Sequence, residues 1–238
     1  MENIKMYALV LRAVDYLEND KILTLLTAER GKLTAGIKGV KKAGAKLKFA
    51  AQPFCLAEYI LAERSGRFTV IQASECESYY DLRTDITRYY AACTVCEAAL
   101  ALSYEGGEDG DGLFVDCVNA LSQLCVRDPS AVLIKFLFDV LKKSGYGITL
   151  GACPVCGESL EGNEKLRFDM SAGAFTCWDC SNGAGVSGVT YASILAANKM
   201  TEGATADGNK RALRLLKEYV TYKTDAKLNS LQEYINLI

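Results

Sequence analysis

Two cysteine pairs, Cys153-Pro154-Val155-Cys156 and Cys177-Trp178-Asp179-Cys180, lie about 20 residues apart in a chain that contains no histidine. No other feature constrains the fold as much, because this is the spacing of a four-thiolate zinc site. Each Cys-x-x-Cys turn brings two thiolates to one ion. The segment between the pairs must therefore fold back, so that Cys177 and Cys180 complete the tetrahedron begun by Cys153 and Cys156. Gly157 follows the first pair, where a knuckle turn needs a residue free to take positive φ. Four thiolates leave no open coordination position, so the expected Zn2+ is structural rather than catalytic. Disulfides are the first alternative, but nothing else in the chain suggests secretion. Thioredoxin-like redox chemistry needs a Cys-x-x-Cys opening a helix in a βαβ setting, which is missing. Iron in the same ligand set is the main chemical rival.

The remaining cysteines do not extend this site. Cys55, Cys76, Cys93, Cys96, Cys117 and Cys125 lie in apolar segments and read as small hydrophobes in a reducing cytoplasm. Cys93-Thr94-Val95-Cys96 repeats the pair spacing inside a helical apolar stripe, where core packing accounts for it. The opening Met1-Glu2-Asn3-Ile4-Lys5 lacks signal-peptide character, and no apolar run approaches the roughly 20 residues of a membrane span. A cytoplasmic protein with no membrane partner is expected.

Charge is distributed unevenly. Residues 1–80 carry 12 Lys/Arg against 9 Asp/Glu, and residues 81–238 carry 15 against 20. The sharpest local feature is Lys38, Lys41, Lys42, Lys46 and Lys48, with no acid among them. A charge run is usually a solvated face. This one is interleaved with Gly36, Gly39 and Gly44, and reads as a flexible basic loop suited to a phosphate backbone. Arg12 and Lys32 are possible neighbours. Tyr7, Phe49 and Tyr59 could stack on bases, although core packing is the simpler fate of each.

Periodicity divides the chain. Up to residue 80 it reads as β: Ile4–Val14, then Lys21–Glu29 and Lys32–Lys38 around a Glu29-Arg30-Gly31 turn, then Pro53–Glu63 and Phe68–Ser74. Five short strands with a long loop after the third suit a closed barrel such as an OB-fold. From residue 81 apolar residues recur at helical spacing, with helices expected near 82–100, at Leu113–Val126, from an Asp128-Pro129 cap to Gly145, and at Tyr191–Lys199, Asn209–Lys223 and Leu228–Leu237. Glu105–Gly112 reads as a loop. The predicted architecture is α+β: an OB-fold β-barrel over 1–80, then an α-helical domain over 81–238 with a zinc module inserted at 151–182.

These features resemble the RecO family of bacterial DNA repair proteins. The likeness is carried by Leu11 to Leu33, which includes Glu18-Asn19-Asp20 and Glu29-Arg30-Gly31, and by Lys38-Gly39 and Gln52-Pro53-Phe54. It continues through Phe138-Asp139, Gly145-Tyr146-Gly147, the first cysteine pair with Gly157, Phe168-Asp169, Gly173 and the second pair. The resemblance implies a recombination mediator that binds single- and double-stranded DNA and anneals complementary strands. It implies RecR and single-strand-binding protein as partners, the latter through its acidic C-terminal tail, with RecA served indirectly. An all-lysine loop departs from relatives that mix in arginine, and lysine lacks the planar fork that stacks on bases. Arg211, Arg214 and Lys217 are candidates for pairing with the acidic tail, against the default of a solvated helix face.

Enzymatic readings fare poorly. Gly183-Ala184-Gly185-Val186-Ser187-Gly188 matches a dinucleotide fingerprint literally but follows a metal knuckle rather than a strand. Gly31-Lys32 lacks the preceding glycine of a phosphate-binding loop, and a zinc deaminase needs an open site and a histidine-bearing motif. A non-enzyme is expected. The surviving alternative is a zinc-stapled adaptor that binds only proteins.

Overall fold

The computed structural model describes residues 2–103, 110–199, 201 and 203–238. Its first strands are β1 (Glu2–Tyr16), β2 (Asp20–Thr27), β3 (Gly31–Ile37), β4 (Leu56–Arg64) and β5 (Arg67–Glu77). They close into a barrel in the order β1-β2-β3-β5-β4, with β4 pairing back onto β1. All pairings are antiparallel except the short parallel closure of β3 on β5, Ala35 opposite Phe68 and Gly36 opposite Thr69. This is the OB-like barrel that the strand spacing predicts. One long strand serves two neighbours: β1 pairs with β4 through its first half and with β2 through its second, bending at a bulge between Val10 and Arg12.

Alternation fills the barrel. Met6, Ala8 and Val10 of β1, Leu23 and Leu25 of β2, Tyr59 and Leu61 of β4, and Val70 of β5 point into one core. Leu9 and Leu26, paired in register, are also fully buried although they face the other way. The barrel therefore has a covered outer face as well as a filled interior.

The chain forms two compact units, Met1–Asp85 with Val95–Cys125, and Ile86–Thr94 with Val126–Ile238. Helix α1 (Ile86–Leu102) contributes to both, and α2 (Gly110–Val126) lies almost wholly in the barrel unit. Of the loop expected over 105–112, residues 110–112 open α2 and the rest lie outside the described residues.

In the second unit, α3 (Pro129–Lys143) begins as its sequence dictates: the Asp128 carboxylate accepts from the Ala131 N–H, and Pro129 occupies the first turn. It ends in a Schellman motif. Gly145 takes φ +81°, the Tyr146 N–H reaches the Leu141 carbonyl, and the Gly145 N–H reaches that of Lys142. Helices α4 (Gly188–Lys199), α5 (Ala206–Thr224) and α6 (Asn229–Leu237) complete the helical part, and α5 packs against α3, α4 and α6.

Sequence periodicity leaves 151–182 as a loop held only by metal, and here the structure differs. Strands β6 (Lys165–Asp169), β7 (Ala174–Cys177) and β8 (Ala184–Ser187) make a three-stranded sheet in the order β7-β6-β8. The strands have only four or five residues, too short for alternation to be visible. Phe168 and Phe175 are nevertheless fully buried, their rings 4.7 Å apart, and they meet Tyr219 of α5 at 5.4 Å and Tyr191 of α4 at 5.0 Å. The module thus has an aromatic core of its own, fastened to two helices.

Candidate nucleic-acid interface and metal centre

The four cysteine sulfurs converge. Sγ atoms of Cys153, Cys156, Cys177 and Cys180 all lie within 4.8 Å of one another, and those of Cys156 and Cys177 are 3.7 Å apart. A tetrahedron with metal–sulfur bonds of about 2.3 Å has edges of about 3.8 Å. That distance is far too long for a disulfide, and among the described residues no cysteine is in one. Gly157 takes φ +78° in the first knuckle, where its N–H reaches the Cys153 carbonyl.

The thiols are held in unequal states. Burial opposes ionisation of Cys153, but the N–H groups of Cys156, Cys177 and Val155 directed at its sulfur outweigh this and bring it down to about 6. Cys177 is pushed up to about 11, first by burial and then by its bond to Cys156, and Cys180 to about 12, led by its interaction with Cys156. Four sulfurs this close cannot share negative charge unless a cation lies among them. The donor set therefore fits a closed metal site.

The glycine motif beside this centre serves packing. A Cβ at Gly183 would fall 2.4 Å from the Phe168 carbonyl oxygen, and one at Gly188 would fall 2.1 Å from that of Asn163. These glycines let a strand edge and a loop approach closely, which accounts for them without a nucleotide.

The lysine segment is more ordered than its glycines suggest. Successive i to i+3 backbone bonds, Lys42 to Gly39, Ala45 to Lys42 and Lys48 to Ala45, wind it into turns. Val40, Ala50 and Ala51 are buried in the barrel core, with Leu47 and Phe49 packed against it. Two bonds tie the segment to the β1–β2 hairpin: the Gly39 N–H to the Asp20 carboxylate at 2.7 Å and the Lys41 N–H to the Asn19 carbonyl at 3.0 Å. Apolar residues between the lysines draw the backbone onto the barrel and leave the ammonium groups outside.

Lys38, Lys42, Lys46 and Lys48 are exposed, and none has an ion pair among the described residues. Lys41 differs, pairing with Asp15 at 2.7 Å and so holding that carboxyl below its usual range. Arg12 is exposed on β1, next to the bulge. Lys32 is partly buried and engaged: its ammonium donates to the carbonyls of Leu100 and Ser103, at 3.2 and 2.9 Å, and so caps the C-terminal end of α1. The suggested aromatics divide in a similar way. Tyr59 is buried with its hydroxyl donating to the Ala50 carbonyl, Phe49 packs on the core, and Tyr7 is half exposed.

Beside the lysines, an open groove of about 500 Å³ runs along the β3–β5 closure. Tyr16, Lys21, Lys38, Arg67 and Phe68 line it. Strand pairing brings these residues together from four separate segments, so only Lys38 stands out in the sequence. The signal that could have found Arg67 and Tyr16 is their place at the ends of strands flanking the Arg64–Arg67 and Tyr16–Asp20 turns, the loops at a barrel mouth. Arg67 supplies the guanidinium that the all-lysine segment lacks.

On α5 the cations are largely engaged. Arg211 pairs with Asp207 one turn earlier at 3.0 Å, the Lys217 ammonium donates to the Gln232 side chain, and Lys223 donates to the Ser171 carbonyl at 2.7 Å. Of the three candidate tail contacts, Arg214 is the exposed residue with no ion pair among the described residues.

The chain matches the family description "Recombination protein O N terminal" over residues 1–80 and "Recombination protein O C terminal" over residues 83–232. It belongs to the RecO family. A DNA repair protein RecO of Desulfitobacterium hafniense is 35% identical over 173 residues, 73% of this chain and 63% of that protein. One from Anaeromyxobacter dehalogenans is 34% identical over 186 residues, 77% of this chain and 72% of that protein. One from Heliobacterium modesticaldum is 37% identical over 154 residues, 65% of this chain and 56% of that protein. The match to the Desulfitobacterium relative thus spans less than two thirds of that protein's length. No helix among the described residues is long and apolar enough to cross a membrane.

Proposed function

We propose that this chain is a non-enzymatic mediator of DNA repair and homologous recombination, which binds single- and double-stranded DNA through its barrel and anneals complementary strands. The observation that carries this reading is the set of four exposed lysines, without ion pairs among the described residues, beside a groove lined by Tyr16, Arg67 and Phe68. Annealing joins two polyanions and breaks no covalent bond. The protein must neutralise phosphates while leaving base edges free to pair, and ammonium groups on a fixed surface do this without reading sequence. Tyr16 and Arg67 can stack on bases of a single strand, which every base permits.

Family membership supports the wider role. With RecR, such a protein would help load RecA onto strands coated by single-strand-binding protein, acting at the nucleoid in the cytoplasm. Arg214 is the candidate for the acidic tail of the coating protein. Cys153, Cys156, Cys177 and Cys180 would hold Zn2+ as a structural ion. Bound there, the metal supplies charge neutralisation and a cross-link between the two knuckles, and its filled shell leaves no position for substrate.

Strand annealing, measured by loss of a fluorescent signal from complementary labelled strands, tests the central reading. The chain should accelerate pairing of bare strands, and of coated strands when RecR is added. No acceleration in either setting would refute it.

A further inference from the structure

We propose that Leu17, at the tip of the β1–β2 hairpin, is a wedge that inserts between DNA bases and unstacks them. The proposal rests on the barrel's being the DNA-binding surface. Its starting point is a residue that neither packing nor backbone preference explains. Leu17 takes φ +52°, the left-handed region that suits glycine or asparagine, and it is 72% exposed. Ser65 and Asp225 also have positive φ, at +51° and +57°, but are small polar residues at a hairpin turn and a helix C-cap, whereas Phe54 and Tyr79, at +68° and +49°, are buried, at 1% and 5% exposure. Burial of a large side chain compensates for strain at those two sites. Leu17 has neither a small polar side chain nor burial among the described residues, and an uncompensated outlier points to use outside the fold.

Its surroundings indicate the ligand. Tyr16, the preceding residue, is 51% exposed and lines the cationic groove. The hairpin is bound to the lysine segment through Asn19 and Asp20, and Asp15 is paired with Lys41 at 2.7 Å and Lys21 at 3.6 Å. The acids nearest the tip are therefore engaged, Glu18 excepted, and the tip is braced against the cations. Glu18 is exposed and would repel a phosphate. The turn's polar atoms are thus poor backbone contacts, and the apolar apex is left to meet the bases. An apolar side chain presented beside phosphate-binding cations is how architectural proteins pry apart a base step. A wedge braced this way would open a duplex end or junction while the lysines hold its phosphates, which is the geometry that exchange of pairing partners requires.

Leu17→Gly provides a clean test, because glycine accepts the backbone conformation and the variant should melt no lower than the parent. Binding of the full chain is measured on duplex and single-stranded oligonucleotides carrying 2-aminopurine, whose fluorescence rises when it unstacks. The parent should raise the signal on binding. Leu17→Gly should bind with nearly the parent's affinity and salt dependence but lose the rise, and Leu17→Met should retain it. A parent that binds without any rise, or a Leu17→Gly protein that keeps it, overturns the wedge and leaves DNA binding intact. A Leu17→Gly protein that keeps the rise but loses association with RecR reassigns the tip to a protein contact. No binding by the parent to either oligonucleotide removes the underlying reading and the wedge together.

Discussion

The barrel and the second unit contain similar chemical groups used in opposite directions. In the barrel, apolar residues between the lysines anchor the backbone, and Lys38, Lys42, Lys46 and Lys48 face solvent without ion pairs among the described residues. In the second unit, reactive and charged groups turn toward one another: four thiols converge, Arg211 meets Asp207, and Lys217 meets Gln232. Cation density is therefore a poor guide to a binding surface. An acid or carbonyl one helical turn away, or across a helix pair, satisfies a cation locally. The winding lysine segment holds no acid of its own, and among the described residues Lys41 is the one of its five lysines with an ion pair, reaching across to Asp15 of β1.

The largest effect should come from undoing the inward chemistry. If the four thiolates hold the proposed Zn2+, chelation, or changing Cys153 and Cys177 to serine, would remove a site whose binding free energy is of order 10 kcal/mol. Hydrogen exchange should accelerate sharply across the two knuckles. It should rise much less in β6 and β7, because Phe168 and Phe175 remain packed on Tyr219 and Tyr191. DNA affinity should change little, since the lysine segment and the groove lie in the other unit. Equal loosening of knuckles and sheet would show that the aromatic core depends on the metal.

Removing the outward chemistry should act on binding and not on folding. Alanine at Lys38, Lys42, Lys46 and Lys48 together should reduce the slope of log affinity against log salt. The reduction should be about 0.7 for each single-strand phosphate that is no longer neutralised. The melting temperature should hold, because none of these ammonium groups has an ion pair among the described residues. An unchanged slope would move the DNA surface elsewhere on the barrel.

Legibility in the sequence follows the range of the interactions. The barrel strands, the Asp128-Pro129 cap and the cysteine quartet are local patterns, and each is readable because a few neighbouring residues determine it. The engagement of Lys32 is hidden because its partners, Leu100 and Ser103, lie about 70 positions away and nothing in its own segment announces them. Tyr16 and Arg67 stay hidden for the same reason, since only barrel closure brings them beside Lys38. The sheet of the cysteine module escapes because its strands are too short to show a period. The turns of the lysine segment escape because its glycines suggest flexibility more strongly than Val40 and Leu47 suggest anchoring.

The smallest effect should come from α5, where the contrast between engaged and available cations is finest. Arg211→Ala removes an exposed i, i+4 pair with Asp207, and such pairs contribute about 0.3–0.5 kcal/mol. A denaturation midpoint shifted by no more than that, with DNA affinity unmoved, is expected. Arg214→Ala should leave stability where it is, having no such pair to break among the described residues, and should instead weaken binding of an acidic tail peptide from single-strand-binding protein, measured by fluorescence anisotropy. If Arg211→Ala weakens the peptide as much as Arg214→Ala does, the Asp207 pair opens on binding, and a local partner does not withhold a cation on this helix.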